Sequence, residues 1–158
     1  MNVPSTIQHE SDQVQFVTVR IAGQLFGLPI WNVHDVFIPQ QITVVPLAPA
    51  EVDGVLNLRG RIVTAINMRK RLGFPVPENG ASVVAVGVDY QGEAYGLLVD
   101  EVGEVLPLYR TAMTPNPPNL DRRWAEITNG VYTLDAELMA VMDVERVLIS
   151  IKDNQAAA

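Results

Sequence analysis

The stretch FGLPIWNVHDV, Phe26 to Val36, decides the fold, because it returns as YGLLVDEVGEV, Tyr95 to Val105. Both copies run aromatic-Gly-Leu and then place valines at Val33/Val102 and Val36/Val105, with an acid between them, at a constant offset of 69 residues. A second echo follows in the same order. GVLNLRGRIVTAINMRKRL begins at Gly54 and GVYTLDAELMAVMDVERVL at Gly130, an offset of 76. Leu58 then meets Leu134, Ile62 meets Leu138, Ile66 meets Met142 and Leu72 meets Leu148. Growth of the offset predicts a longer loop in the second copy, and the proline-rich TPNPPNL, Thr114 to Leu120, is the natural place for it.

Around these echoes the apolar residues alternate or come in short β-branched runs. FVTVRI, SVVAVGV, AYGLLV and EVLPL read as strands. NMRKRLG reads as a short helix with Asn67 as cap and Gly73 as stop. MDVERVLISIK, Met142 to Lys152, reads as a second helix capped by Asp143. NGASV marks a break near Asn79, and the prolines of TPNPPNL exclude that segment from a central strand. The expectation is a mainly β domain over residues 14–152, made of two halves at about 14–78 and 80–152, with flexible tails at 1–13 and 153–158. A half of about 70 residues is marginal alone, so the two should fold as one cooperative unit. Short strands with polar turns suggest small closed barrels, which remove exposed edges.

Composition narrows the function. A formal charge of -7 argues against nucleic acid, whose phosphates recruit positive surface. The 158 residues contain no cysteine, which excludes disulfides and thiolate metal sites and agrees with a reducing compartment. No apolar run approaches the roughly 18 residues of a membrane span. MNVPSTIQHESDQ has neither the basic start nor the apolar stretch of a signal peptide, so the chain is read as cytoplasmic. His34 and Asp35 are neighbours on a strand and face opposite ways, and His9 is the other histidine, so no metal set is visible. Neither a phosphate-cradling G-x-x-x-x-G-K-[ST] nor a G-x-S-x-G elbow occurs. Trp31 and Trp124 read as packing or interface residues. No catalytic, cofactor or metal site is expected.

An internal duplication supplies its own control. Features common to both copies, such as Gly27/Gly96, Leu28/Leu97, Val33/Val102 and Val36/Val105, belong to the fold. Features of one copy are candidates for function. Arg59 and Arg61 are replaced by Asp135 and Glu137 while the flanking apolar pattern persists. Two apart on a strand, the arginines should share a face, opposite Leu58 and Ile62. Arg69, Lys70 and Arg71 extend the positive charge. Two readings stand: a solvated basic face or an internal salt bridge to Asp135 and Glu137, or a docking surface for another protein, where arginine is favoured.

The segment GVLNLRGRIVTAINMRKRLG, Gly54 to Gly73, resembles the signature of the CheW-like domain family of bacterial chemotaxis coupling proteins. FGLPIWNVHDV, VPLAPAEVDGV, GLLVDEVGEV and MAVMDVERVL fall in that family's order and spacing, so the resemblance spans about residues 14–151. It implies two SH3-like five-stranded barrels packed side by side with short helices, and no catalysis or cofactor. It also implies an adaptor between the cytoplasmic tip of methyl-accepting chemoreceptors and the regulatory domain of the histidine kinase CheA, within membrane-associated arrays. By position in the motifs, Val33, Asp35, Val36 and Arg59 become receptor-side residues, with Gly54 and Ile62 beside them. Arg61, Asp135 and Glu137 are further partner-binding candidates. The chain is expected to be a monomer on its own. The charge inversion suggests that the arginine face of one module meets the acidic face of the next, a heterologous contact able to close a ring. The chain departs from the pattern at Asn67, where the family often has aspartate, and at Asp35, where it often has glutamate. The receptor class stays open. So do two alternatives, a scaffold for another chemosensory pathway such as surface motility and a small-ligand-binding barrel.

Overall fold

The computed structural model describes residues 12–77 and 83–157, with side chains as far as Ile151. Its strands are β1 (Gln13–Ile21), β2 (Gln24–Pro29), β3 (Asp35–Phe37), β4 (Val52–Leu58), β5 (Arg61–Asn67), β6 (Val84–Tyr90), β7 (Glu93–Val99), β8 (Glu101–Tyr109), β9 (Thr128–Leu134) and β10 (Glu137–Met142). Among the described residues three α-helices accompany them: α1 (Met68–Leu72), α2 (Arg122–Ile127) and α3 (Val144–Ala157). The strands form two five-stranded sheets. Sheet I has the order β8-β1-β2-β10-β9, and sheet II the order β3-β6-β7-β5-β4.

These orders correct the expected division of the fold. Cutting the chain near residue 79 does not separate the sheets: sheet I takes β1 and β2 from the first half and β8 to β10 from the second. Sheet II takes β3 to β5 from the first half and the β6–β7 hairpin from the second. Each repeat lends its opening hairpin to the sheet that its partner completes. The physical reason lies in the central pairings. β2 runs parallel to β10 and β5 parallel to β7, and parallel neighbours need a long crossover rather than a tight turn. The break expected at Asn79 and the tail residues 1–11 lie outside the described residues. At the other end, α3 continues through Ala157, past the expected stop at Lys152 and into the expected tail. Met142 belongs to β10 rather than to the helix, which begins after Asp143, whose carboxylate accepts from the Arg146 amide at 3.1 Å. Asn67 caps α1 by accepting from the Lys70 amide at 3.1 Å, and Gly73 ends it at φ 82°.

The duplication survives in the register. Val36 pairs with Val86 as Val105 pairs with Val17. Ala65 lies beside Gly96 as Val141 lies beside Gly27. Isolated bridges join Thr43 to Val55 and Thr114 to Val131 at matching places. The extra residues of the second copy fall between β8 and β9, where the proline-rich loop and α2 lie. At the centre, the two shared glycines admit close packing. A Cβ on Gly27 would stand 2.6 Å from Met139 Cε, and one on Gly96 would stand 3.4 Å from Val63 Cγ1, the counterpart of Met139.

Apolar burial follows the pleat. One face of sheet I buries Val14, Phe16, Leu25, Tyr132, Met139 and Val141 as its own cluster. One face of sheet II buries Leu56, Val63, Ala65, Ala85 and Leu98. Alternate residues of the same strands, such as Phe26 and Leu28 or Tyr95 and Leu97, meet in a third cluster shared by both sheets. Central strands buried on both faces explain the nearly unbroken apolar runs of the sequence. α3 joins this shared core through Val144, Val147, Leu148 and Ile151. Trp124 of α2 packs edge-on against Phe26 and donates to the Leu72 carbonyl at 3.2 Å, so it is a packing residue.

One polar tie crosses between the sheets. Asp100, just after β7, accepts from Arg69 Nη2 at 2.6 Å, from Arg69 Nε at 3.0 Å and from the Ala22 amide in the β1–β2 turn at 2.7 Å. Burial pushes the Asp100 carboxyl up, but the hydrogen bonds from Arg69 and Ala22, together with the guanidinium charge, outweigh it and hold the group below the usual carboxylate range.

Candidate functional site

Sheet II carries an open hollow of about 340 Å³ bordered by His34, Asp35, Leu58, Arg59, Arg61 and Asp89. Its walls come from different elements. His34 and Asp35 stand at the start of β3, Asp89 is on β6, and Arg59 and Arg61 belong to the β4–β5 hairpin. The hairpin is closed by two residues, Arg59 and Gly60, with φ of 53° and 84°. That is the left-handed pair of a type I′ turn, whose twist suits two antiparallel strands. The Asn57 carbonyl oxygen Oδ1 accepts from the Gly60 amide at 2.9 Å and fixes the turn.

This geometry corrects the pairing of Arg59 with Arg61. Arg59 is not on a strand, so the alternation rule does not place the two guanidiniums on one face. Arg61 opens β5 and its Nη2 lies 3.0 Å from Asp89 Oδ1. Arg59 is exposed and has no hydrogen-bond or ion-pair partner among the described residues. Its positive φ is not peculiar to it, because Ala22 and Gln91 take the same position in the β1–β2 and β6–β7 turns, at φ of 51° and 52°. What distinguishes Arg59 is a charged side chain without a partner.

Sheet I repeats the hollow, with a volume of about 650 Å³. Under the two repeat offsets Asp35 becomes Glu104, Leu58 becomes Leu134, Arg59 becomes Asp135, Arg61 becomes Glu137 and Asp89 becomes Arg20, and all five of these border it. An internal salt bridge between the arginines and Asp135 or Glu137, one of the alternatives left open by the sequence, is absent among the described residues. Glu137 instead makes two bonds to Arg20, Oε1 to Nη2 at 2.7 Å and Oε2 to Nη1 at 3.1 Å. These bonds hold the Glu137 carboxyl below its ordinary range and raise the Arg20 guanidinium. The ion pair Arg61–Asp89 and the ion pair Glu137–Arg20 therefore occupy equivalent places with their signs exchanged.

The remaining candidates divide by burial. Val36 is 45% exposed and Ile62 61% exposed, and Ile62 borders a second hollow of about 400 Å³ with Ile38, Thr43 and Leu58. Ile38, Val44 and Leu47 extend this apolar exposure along the connection from β3 to β4. Val33 is half-buried and packs on the shared core. Asp35 is half-buried, with Oδ1 so close to Gly87 that a side chain there would collide with it. Gly54 is buried at φ 147°, and a Cβ would meet the Thr43 carbonyl oxygen, so the backbone accounts for glycine there. His34 and Asp89 were not identified as partners by sequence reasoning. The opposite charges at Arg20 and Asp89, related by the first offset, were the available signal.

Among the described residues no group of three or more His, Asp or Glu is placed to hold a metal ion. None of the described helices is long and apolar enough to cross a membrane. The site offers exposed aliphatic surface, an unpaired guanidinium, the half-buried Asp35 and the exposed Asp89 on an open rim, which suits contact with another macromolecule.

Comparison with known proteins agrees with this picture. The chemotaxis protein CheW of Treponema pallidum is 28% identical over 160 residues, covering 99% of this chain and 92% of that protein. The chemotaxis protein CheW of Thermotoga maritima is 26% identical over 150 residues, covering 94% of this chain and 97% of that protein. The crystal structure of the scaffolding protein TtCheW from Thermoanaerobacter tengcongensis is 31% identical and superimposes with a TM-score of 0.72, covering 82% of this chain and 88% of that one. The family described as "CheW-like domain" matches residues 15–152. With nearly the whole folded chain matched, the protein belongs to the CheW-like domain family.

Proposed function

We propose that this chain is a non-catalytic chemotaxis adaptor that couples methyl-accepting chemoreceptors to the histidine kinase CheA. Family membership carries the reading, and the names of the relatives, chemotaxis protein and scaffolding protein, agree with it. The separate apolar cluster inside each sheet supports two SH3-like barrels packed side by side. The adaptor works in the cytoplasm and is recruited to receptor arrays at the membrane.

The hollow of sheet II is the receptor side. Val36 and Ile62 supply aliphatic surface, worth about 1 kcal/mol each when a coiled-coil tip covers what is now exposed. Arg59 and Asp35 set register and polarity, Arg59 through charge-assisted bonds to carboxylate or carbonyl groups of the receptor. Val33 and Gly54 act from beneath, by shaping the edge. The regulatory domain of CheA is the second partner. The chain is monomeric alone. Where the arginine is not engaged by a receptor, the Arg59/Arg61 face of one module meets the Asp135/Glu137 face of a neighbour, a heterologous contact that closes into rings. Arg61 and Glu137, already paired within the chain, contribute less to it than their charges suggest. Each contact is small, and multivalency holds the array together.

The decisive experiment is a pulldown of the full chain with CheA and a receptor signalling fragment, compared between the native chain and Arg59→Ala. The expected result is receptor binding weakened about tenfold, as for a hot-spot arginine, with kinase binding and melting temperature kept. Equal binding by the variant would remove the receptor assignment, and failure of the native chain to capture either partner would remove the function.

A further inference from the structure

We propose that Asp89 is a positioning residue for the receptor-contact site, a strut that spans the mouth of the hollow by holding His34 and Arg61 at once. The inference rests on the site assignment above. Asp89 Oδ2 lies 3.0 Å from His34 Nε2, and Asp89 Oδ1 lies 3.0 Å from Arg61 Nη2. The two side chains belong to opposite walls. His34 precedes β3, the strand on one side of β6, whereas Arg61 opens β5, which lies beyond β7 on the other side. The Arg61 arm therefore crosses β7, and the β7 residue in register with Asp89 on one side and Val63 on the other is Ala94, whose methyl is too short to block it.

Each arm ends beside a contact residue. His34 is followed in the chain by Asp35 and Val36, and its amide donates to the Gly87 carbonyl at 2.8 Å. Arg61 follows the Arg59–Gly60 turn. Holding both side chains on one carboxylate fixes the distance from the β3 edge to the Arg59–Gly60 turn. The other charged groups around the hollow are Arg59 and Asp35, and neither makes an ion pair among the described residues. Sheet I shows the strut cut to one arm: Arg20 holds Glu137, but the counterpart of His34 is Gly103, which has no side chain to hold. The two-armed form occurs only in the hollow with the exposed guanidinium.

The test is a set of coupled variants in the full chain, titrated with a purified receptor signalling fragment. Asp89→Ala should weaken binding about fivefold, and His34→Ala and Arg61→Ala about threefold each, as coupled polar contacts do. The melting temperature should move little. In the Asp89→Ala background, neither His34→Ala nor Arg61→Ala should weaken binding further, because both act through the missing carboxylate. Effects that multiply instead would make His34 and Arg61 independent contacts and overturn the strut, as would native binding by Asp89→Ala. Should Asp89→Ala melt early, the same cycle in Asp89→Asn decides between these results. Arg59→Ala in the same titration separates the two claims. If it weakens binding while Asp89→Ala does not, only the strut falls, and if neither weakens binding, the site assignment falls with it.

Discussion

Sheet I and sheet II share one register and reverse each other's charges. Where sheet II pairs Arg61 with Asp89, sheet I pairs Glu137 with Arg20, at positions related by the same two offsets. The pair is kept and only its polarity is exchanged. A change of charge between repeats is therefore not in itself a mark of function, because both members can change together and leave the fold indifferent. The informative positions are those where a charge goes unanswered or where one repeat adds a side chain. Arg59 is one, and its counterpart Asp135 is another. His34 against Gly103 is a third, where one repeat adds a side chain that the other lacks. The hollow of sheet II balances two arginines with two aspartates, while that of sheet I gathers Glu101, Glu104, Asp135 and Glu137 around Arg20. Equivalent positions have been given two electrostatic characters.

The sharpest way to break the equivalence is at the paired glycines Gly54 and Gly130. Each faces the carbonyl of a bridging threonine, Thr43 or Thr114. A Cβ on Gly130 would stand 2.7 Å from the Thr114 oxygen, whereas on Gly54 the approach is closer and the φ of 147° itself excludes an L side chain. Gly54→Ala should therefore cost about 3 kcal/mol or more, and Gly130→Ala about 1–2 kcal/mol, measured by urea denaturation. Equal costs would mean that the two edges are interchangeable and that the left-handed backbone at Gly54 has no consequence.

A smaller effect is expected where the repeats truly differ. The counterparts of Asp100 and Arg69 are Trp31 and Glu145, so the tie between the sheets exists once. Asp100→Asn should cost about 2 kcal/mol, since it weakens charged hydrogen bonds in a mostly buried place. The pH dependence has a definite sign. The folded-state carboxyl is depressed below its unfolded value, so its contribution is complete above about pH 4 and is lost as pH falls through the depressed value. Native chain and variant should converge in stability in acid and separate near neutrality. Parallel curves would show that Asp100 contributes by shape rather than charge.

The repeat was legible because burial constrains apolar residues tightly, and aligned pairs such as Val63/Met139, Ile66/Met142 and Leu72/Leu148 reflect one buried geometry used twice. The exchange of hairpins was not legible. A parallel contact such as Ala65 beside Gly96 joins segments whose local pattern says nothing about which sheet they enter. α2 was missed because it is one short amphipathic turn after a proline-rich loop, held by Trp124 and Ile127 in the shared core rather than by its own propensity. For the candidate site, Arg59 and Val36 were nameable from the motifs as candidates. Asp89 was not, since one partner, His34, lies just before the neighbouring β3 and the other, Arg61, on β5 beyond β7, and only the sheet order brings them together.

The smallest expected effect tests the meaning of Arg59 most directly. Its backbone sits at φ 53°, followed by Gly60 at 84°, and the residue best suited to that first position is asparagine. Arg59→Asn should then stabilise the fold by about 0.5 kcal/mol, because the turn relaxes and no internal contact of the guanidinium is lost. The same change should weaken receptor binding as Arg59→Ala does. The counterpart turn Asp135–Ala136 is not left-handed, so Asp135→Asn should leave stability unchanged. A gain in stability with a loss of binding is the signature of a side chain kept for a partner at some expense to the fold. If Arg59→Asn destabilises the chain instead, the guanidinium serves the fold, and the asymmetry between the two hollows loses its functional content.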